Sequence, residues 1–104
     1  MTTPFEIIAL AIQKKAEAFD PVASFINSLR SFISLEHLRI ADEISHGSGH
    51  VDIATGIDHA LYMRAFNFPN LAFYHAFRAF KEDIGLNFDI SCINEDSVAI
   101  RFNV

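Results

Sequence analysis

The hydrophobic period of this chain changes once, at Gly85, and that change limits the class of fold it can adopt. Beyond Gly85, Leu86, Phe88, Ile90 and Cys92 alternate with Asn87, Asp89 and Ser91. Val98, Ile100, Phe102 and Val104 then alternate with Ser97, Ala99, Arg101 and Asn103. Two short runs of period two joined by Asn94-Glu95-Asp96 have the pattern of an antiparallel β-hairpin with one buried face.

Before Gly85 the apolar residues recur at helical spacing. Thr3-Pro4-Phe5-Glu6 combines a capping residue, a proline at the first helical position and the glutamate of a capping box. Phe5, Ile8, Ile12, Ala16 and Phe19 continue as a stripe. Asp20-Pro21 opens a second helix with Val22, Phe25, Ile26, Leu29 and Ile33 on its apolar face. Ser34 is placed to cap a third, carrying Leu35, Leu38, Ala41 and Ile44. The glycines of Ser45-His46-Gly47-Ser48-Gly49-His50 predict a loop. A fourth helix is predicted from about Asp52 or Thr55 to Phe66. After Phe68-Pro69, Asn70 is placed to cap a fifth, with Phe73, Tyr74, Phe77, Phe80 and Ile84, ending at Gly85.

A lone hairpin is marginal in water, so its apolar face must rest on the helices. The expected fold is α+β: four to five helices, then a C-terminal antiparallel β-hairpin packed on them, in a winged-helix-like element order. It reads as a single domain over 1–104, helical over about 3–85 and hairpin over about 86–104. A chain of 104 residues buries roughly 65% of its unfolded surface, enough for a core without a staple.

The charge is unevenly placed. Residues 1–33 hold three basic and three acidic side chains, and residues 60–104 hold four and five. Residues 34–59 hold Arg39 against Glu36, Asp42, Glu43, Asp52 and Asp58, so most of the net charge of −5 sits in the middle. Such a stretch is either a solvated face, with Arg39 offsetting Glu36 and Glu43 at helical spacing, or a recognition surface for a basic partner. A net acidic chain lacks the clustered cations that non-specific nucleic-acid binding or anionic lipid requires. The longest strictly apolar run, Ile7 to Ile12, is too short to span a bilayer. Glu6 precedes that run and Lys14 and Lys15 follow it, the reverse of a secretory signal. Cys92 is the single cysteine, which excludes an intrachain disulfide and makes the cytoplasm the expected compartment.

No catalytic pattern emerges. His46, His50, Asp52, Asp58 and His59 are candidate metal ligands, but the two glycines between His46 and His50 break any helical ligand pair. Gly47-Ser48-Gly49 matches neither a nucleophile elbow nor a phosphate loop. Cys92 falls on the apolar face of the hairpin, where a thiol is an inert hydrophobe. The aromatic stripe of the fifth helix reads as core, with Phe68 and Tyr74 left for a homodimer or partner patch. An acidic hairpin tip and an aromatic preceding helix argue against direct DNA reading.

The expectation is therefore a non-enzymatic, cofactor-free protein-binding module. Its concrete form is an inhibitor or adaptor of a nucleic-acid-handling complex, of the kind phages and mobile elements encode, anti-CRISPR proteins among them. Size, charge and missing catalytic motifs carry that form; no residue pattern does. Glu36, Asp42, Glu43, Asp52 and Asp58 would meet Arg or Lys of the partner, and the free edge of Val98 to Val104 would offer backbone groups for a second contact. The alternatives are a winged-helix-like transcriptional regulator and a small metal-binding protein using the His-rich loop.

Overall fold

A computed structural model describes residues 3–92 and 96–104, the side chains of 13 and 15–18 apart. Asn94 and Glu95 of the expected hairpin turn lie outside the described residues. The first two helices begin where their capping chemistry places them. In α1 (Pro4–Ala18) the Glu6 N–H donates to Thr3 Oγ1 at 3.2 Å and the Thr3 N–H to Glu6 Oε2 at 3.4 Å. In α2 (Pro21–Leu35) Asp20 Oδ1 accepts from the N–H groups of Val22 and Ala23 at 3.0 and 3.1 Å. Val22, Phe25 and Leu29 of α2 are buried, the face its sequence predicted.

The next boundaries differ from expectation. α2 runs through Ser34 to Leu35, and α3 (His37–His46) follows after Glu36, so Ser34 is an interior residue and not a cap. Its carbonyl oxygen instead meets His37 Nδ1 at 2.9 Å. α3 extends through His46, and the predicted loop shrinks to Gly47-Ser48-Gly49.

The largest correction concerns residues 50–58. They form a strand, β1 (His50–Asp58), where the start of a fourth helix was expected. Val51, Ile53, Thr55 and Ile57 alternate along it, three of them β-branched aliphatics and the fourth threonine, the composition that fits a pleated surface. Ile53 is buried. Helix α4 (His59–Phe66) starts only after Asp58, whose side chain accepts from the Ala60 N–H at 2.9 Å. α5 (Ala72–Ile84) is not capped by Asn70. Asn70 and Leu71 both adopt left-handed backbone, and Leu71 enters the helix without a side-chain cap. Gly85 ends α5 in the left-handed conformation, its N–H donating to the Lys81 carbonyl.

β2 (Asp89–Cys92) and β3 (Ser97–Asn103) form the expected antiparallel hairpin, and β1 adds to its far side. The strand order is β1-β3-β2, with Ile100 opposite both Ile53 and Ile90. The fold is thus α+β, with five helices and a three-stranded antiparallel sheet among the described residues. From α3 on, the order helix, strand, helix, helix, strand, strand with β3 central is winged-helix-like. Two expectations fail here. β3 has a partner on each side, so Val98 to Val104 offers no free edge; β1 and β2 are the edges. Cys92 ends β2 exposed to solvent and not buried.

The core lies between α2, α4, α5 and one sheet face. Phe25, Leu29, Ile53, Phe88, Val98 and Ile100 are its largest fully buried side chains. The Phe25 ring packs against Tyr62 and Phe73 at centroid distances of 5.4 and 5.7 Å, and Phe88 joins Phe77 and Phe102 at 5.5 Å each. Burial raises the Tyr62 phenol above its ordinary value. α1 stands outside this core. Phe5, Ile7, Ile8, Leu10 and Ile12 are all exposed, and the molecule measures 66 × 24 × 22 Å. Its radius of gyration is 17.5 Å, against about 13 Å for a compact domain of this length.

Candidate functional site

Helix α3 carries the acidic cluster, and its apolar face determines where each carboxylate falls. His37, Ile40, Ala41 and Ile44 recur at helical spacing on one side of α3, Ile40 buried, Ile44 half-buried and His37 and Ala41 exposed. Together with Ile33 of α2, Leu86 and Phe102 they line an almost wholly apolar pocket of about 200 Å³. Ile40 and Phe102 are buried at its floor. One flank of that stripe is occupied by Glu36 and Glu43, the other by Leu38, which is 74% exposed. Sequence reasoning put Leu38 on the buried face and passed over Ile40. The signal was present, since 37, 40, 41 and 44 are spaced i, i+3, i+4, i+7.

The five carboxylates expected to act together are separated by the fold. Arg39 lies between Glu36 and Glu43 at 3.8 Å from each, with all three side chains about half exposed. Pairs this long and this wet contribute little to stability, so both carboxylates remain open to an incoming cation. Asp42 points to the outer side of α3, where His46 Nδ1 approaches its Oδ1 at 3.5 Å and its carbonyl oxygen at 2.8 Å.

Asp52 and Asp58 are engaged within the chain. Asp52 on β1 accepts two hydrogen bonds from Arg101 on β3, Nε to Oδ1 at 2.7 Å and Nη2 to Oδ2 at 3.0 Å. Their Cα atoms are direct partners across the strands, and the planar guanidinium matches the carboxylate in two parallel bonds. That bonding holds the Asp52 carboxyl below its ordinary value of 3.8 and raises the guanidinium in turn. Asp58 is the N-cap of α4. The acidic face accordingly reduces to Glu36, Asp42 and Glu43.

The other candidate chemistries disperse in the same way. Among the described residues no three His, Cys, Asp or Glu side chains gather closely enough to hold a metal ion. His46 turns back on α3, His50 begins β1, and His59 sits 6.2 Å from the Tyr62 ring. Gly47 and Gly49 serve a tight connection: a Cβ on Gly47 would collide with the Val51 side chain, and the Gly49 carbonyl accepts from the Val104 N–H at 2.9 Å. The cations around α5 are also engaged. Arg78 pairs with Glu82 at 3.3 Å, Arg30 with Asp83 at 3.0 Å, and Lys81 lies over the Phe77 ring at 4.9 Å. No helix among the described residues is long and apolar enough to cross a membrane. Set against models of known families, against curated proteins and against solved structures, the chain finds no match.

Proposed function

We propose that this chain is a non-enzymatic protein-binding module whose contact surface is α3 and the slot beside it. The observation that carries this reading is the placement of Glu36 and Glu43 on the flank of the α3 stripe that lines an apolar pocket. An apolar centre with a polar rim is the anatomy of a protein interface, in which one side chain fills the pocket and surrounding charges select the partner. The fitting partner is a basic protein segment that offers an aliphatic or aromatic anchor next to Arg or Lys. A protein whose basic surface normally faces phosphate meets that description, which keeps the role of inhibitor or adaptor of a nucleic-acid-handling complex as the specific form of the proposal.

The test compares three proteins in partner capture followed by affinity measurement: the natural chain, Glu36→Lys/Glu43→Lys, and Ala41→Trp, which fills the slot mouth. Charge reversal should weaken binding about tenfold or more, chiefly in association rate, and added salt should shrink the difference. Ala41→Trp should weaken it without changing the salt dependence. Undiminished binding by both variants refutes the assignment to α3.

The strand order favours a second reading. In a winged-helix-like arrangement α4 and α5 correspond to a helix-turn-helix, with α5 as the groove-entering helix. Binding to a DNA duplex that falls steeply with salt would support a transcriptional regulator in place of a protein-binding module.

A further inference from the structure

We infer that α1 is a dimerisation helix: it pairs antiparallel with α1 of a second copy of this chain, and its tip rests on exposed apolar surface at that copy's α4–α5 turn. The first observation is the helix itself. Phe5, Ile8 and Ile12 share one stripe, which Phe19 continues just past the end of the helix, and Ile7 and Ala11 widen it to roughly 160° of the circumference, with Glu6 and Lys14 on the remaining arc. A helix apolar so far round is normally a covered one. Its 15 residues are also near the lower limit at which a helix holds its shape in water without packing.

The second observation is area. Phe5, Ile7, Ile8, Leu10 and Ile12 are each more than half exposed. Leu10 falls on the opposite arc, between Glu6 and Lys14; the other four leave on the order of 500 Å² of mainly apolar surface in water, more than half of the about 800 Å² per partner that a stable interface buries. A second apolar surface lies at the α4–α5 turn, where Met63, Phe66, Phe68, Leu71 and Tyr74 are exposed. It adds a similar area, on the order of 500 Å². Leu71 is 69% exposed at φ 56, a conformation uncommon for a bulky residue. The turn therefore presents a leucine to solvent at a backbone position that disfavours it.

The third observation joins the two surfaces. The Arg64 guanidinium of α4 lies 4.6 Å from the Phe19 ring, so the end of α4 sits at the base of α1. Phe5 and Phe19 are fourteen residues apart, about 21 Å along a helix. Antiparallel pairing centred on Ile12 sets Phe5 of one copy beside Phe19 of the other, next to its Arg64 and the α4–α5 turn. The arrangement is isologous and closes at two copies. The charges on α1 favour this occupant over a lipid surface. Lys14 and Lys15 are balanced by Glu6 and Glu17, which leaves no cationic excess for anionic headgroups.

Sedimentation equilibrium at micromolar concentration tests the pairing. The expected mass is twice 11.7 kDa, and Ile8→Glu/Ile12→Glu should reduce it to one chain while near-UV circular dichroism of the Phe25-Tyr62-Phe73 cluster is retained. Orientation is read by cysteine cross-linking in a Cys92→Ser background. Ile12→Cys should form a disulfide-linked dimer. Phe5→Cys should not cross-link to itself but should cross-link to Phe19→Cys. A chain that stays monomeric at 100-fold higher concentration, a dimer untouched by the double glutamate variant, or self-linkage of Phe5→Cys would each overturn the inference. So would a monomer that co-sediments with anionic phospholipid vesicles, which would make α1 an interfacial membrane helix.

Discussion

Replacing Gly56 with alanine distinguishes a strand from a helix at residues 50–58 by the sign of its effect. Between Ala54 and Asp58 β1 advances four positions while β3 advances two, from Ala99 to Ser97. The extra residues form a bulge in which Thr55 Oγ1 donates to the Val98 carbonyl at 2.8 Å and accepts from the Ile57 N–H at 3.1 Å. Gly56 sits in it at φ 74, and an added Cβ would meet nothing within 4 Å. Sterics with the rest of the protein therefore contribute nothing, and the cost is conformational. Left-handed backbone costs an L-residue about 1–2 kcal/mol. Alanine recovers about 0.4–1 kcal/mol of that by stiffening the unfolded chain. The net expectation is a loss of about 1 kcal/mol, or roughly 4–8 °C in Tm for a chain of this size. Were these residues the first turns of a helix, the same change would stabilise by about 1 kcal/mol. Urea unfolding followed by far-UV circular dichroism at pH 7 measures the difference, and the slope should stay constant as the midpoint falls. A raised midpoint would refute the bulged strand.

Two further substitutions probe the core and the sheet. Phe25→Ala removes a fully buried ring lodged between Tyr62 and Phe73 and should cost about 3–5 kcal/mol, read as a lower urea midpoint with a weakened near-UV signal. Asp52→Asn tests the Arg101 pair through pH. The folded carboxyl titrates below its ordinary value of 3.8, so its contribution is fully present above that value and is lost as pH falls through the lower folded one. The natural chain should be the more stable at pH 7, and the two should converge in strong acid. A gap that persists there would assign the difference to packing.

The elements legible in the sequence are those whose signals are local. The Thr3–Glu6 capping box, the Asp20 cap and the stop at Gly85 are each contained within a few residues, and all three stand in the structure. The alternation after Gly85 gave the hairpin for the same reason. β1 was legible too, in Val51, Ile53, Thr55 and Ile57, but its partners run from Asn103 opposite His50 to Ser97 opposite Asp58, far along the chain, and only Asp58 and His59 separate it from the apolar residues of α4. Asp52 and Asp58 look alike as sequence, yet one pairs with a guanidinium and the other caps a helix. Those roles depend on Arg101 arriving by strand pairing and on α4 starting late. The slot on α3 needs Leu86 and Phe102 to complete it, so no local pattern could have revealed it.

The central place of β3 bears on how the chain is made. Ribosomes work from the N-terminus, and the strand that β1 must join emerges only after α4, α5 and β2. At about 5–20 residues per second, β1 waits several seconds between its own appearance and that of Ser97. Throughout that interval an alternating Val, Ile, Thr, Ile segment has open hydrogen-bonding groups on both sides. Any early pairing of β1 with another nascent chain would have to be undone before the sheet could close, so expression at lower temperature or at lower ribosome density should raise the yield of properly folded protein.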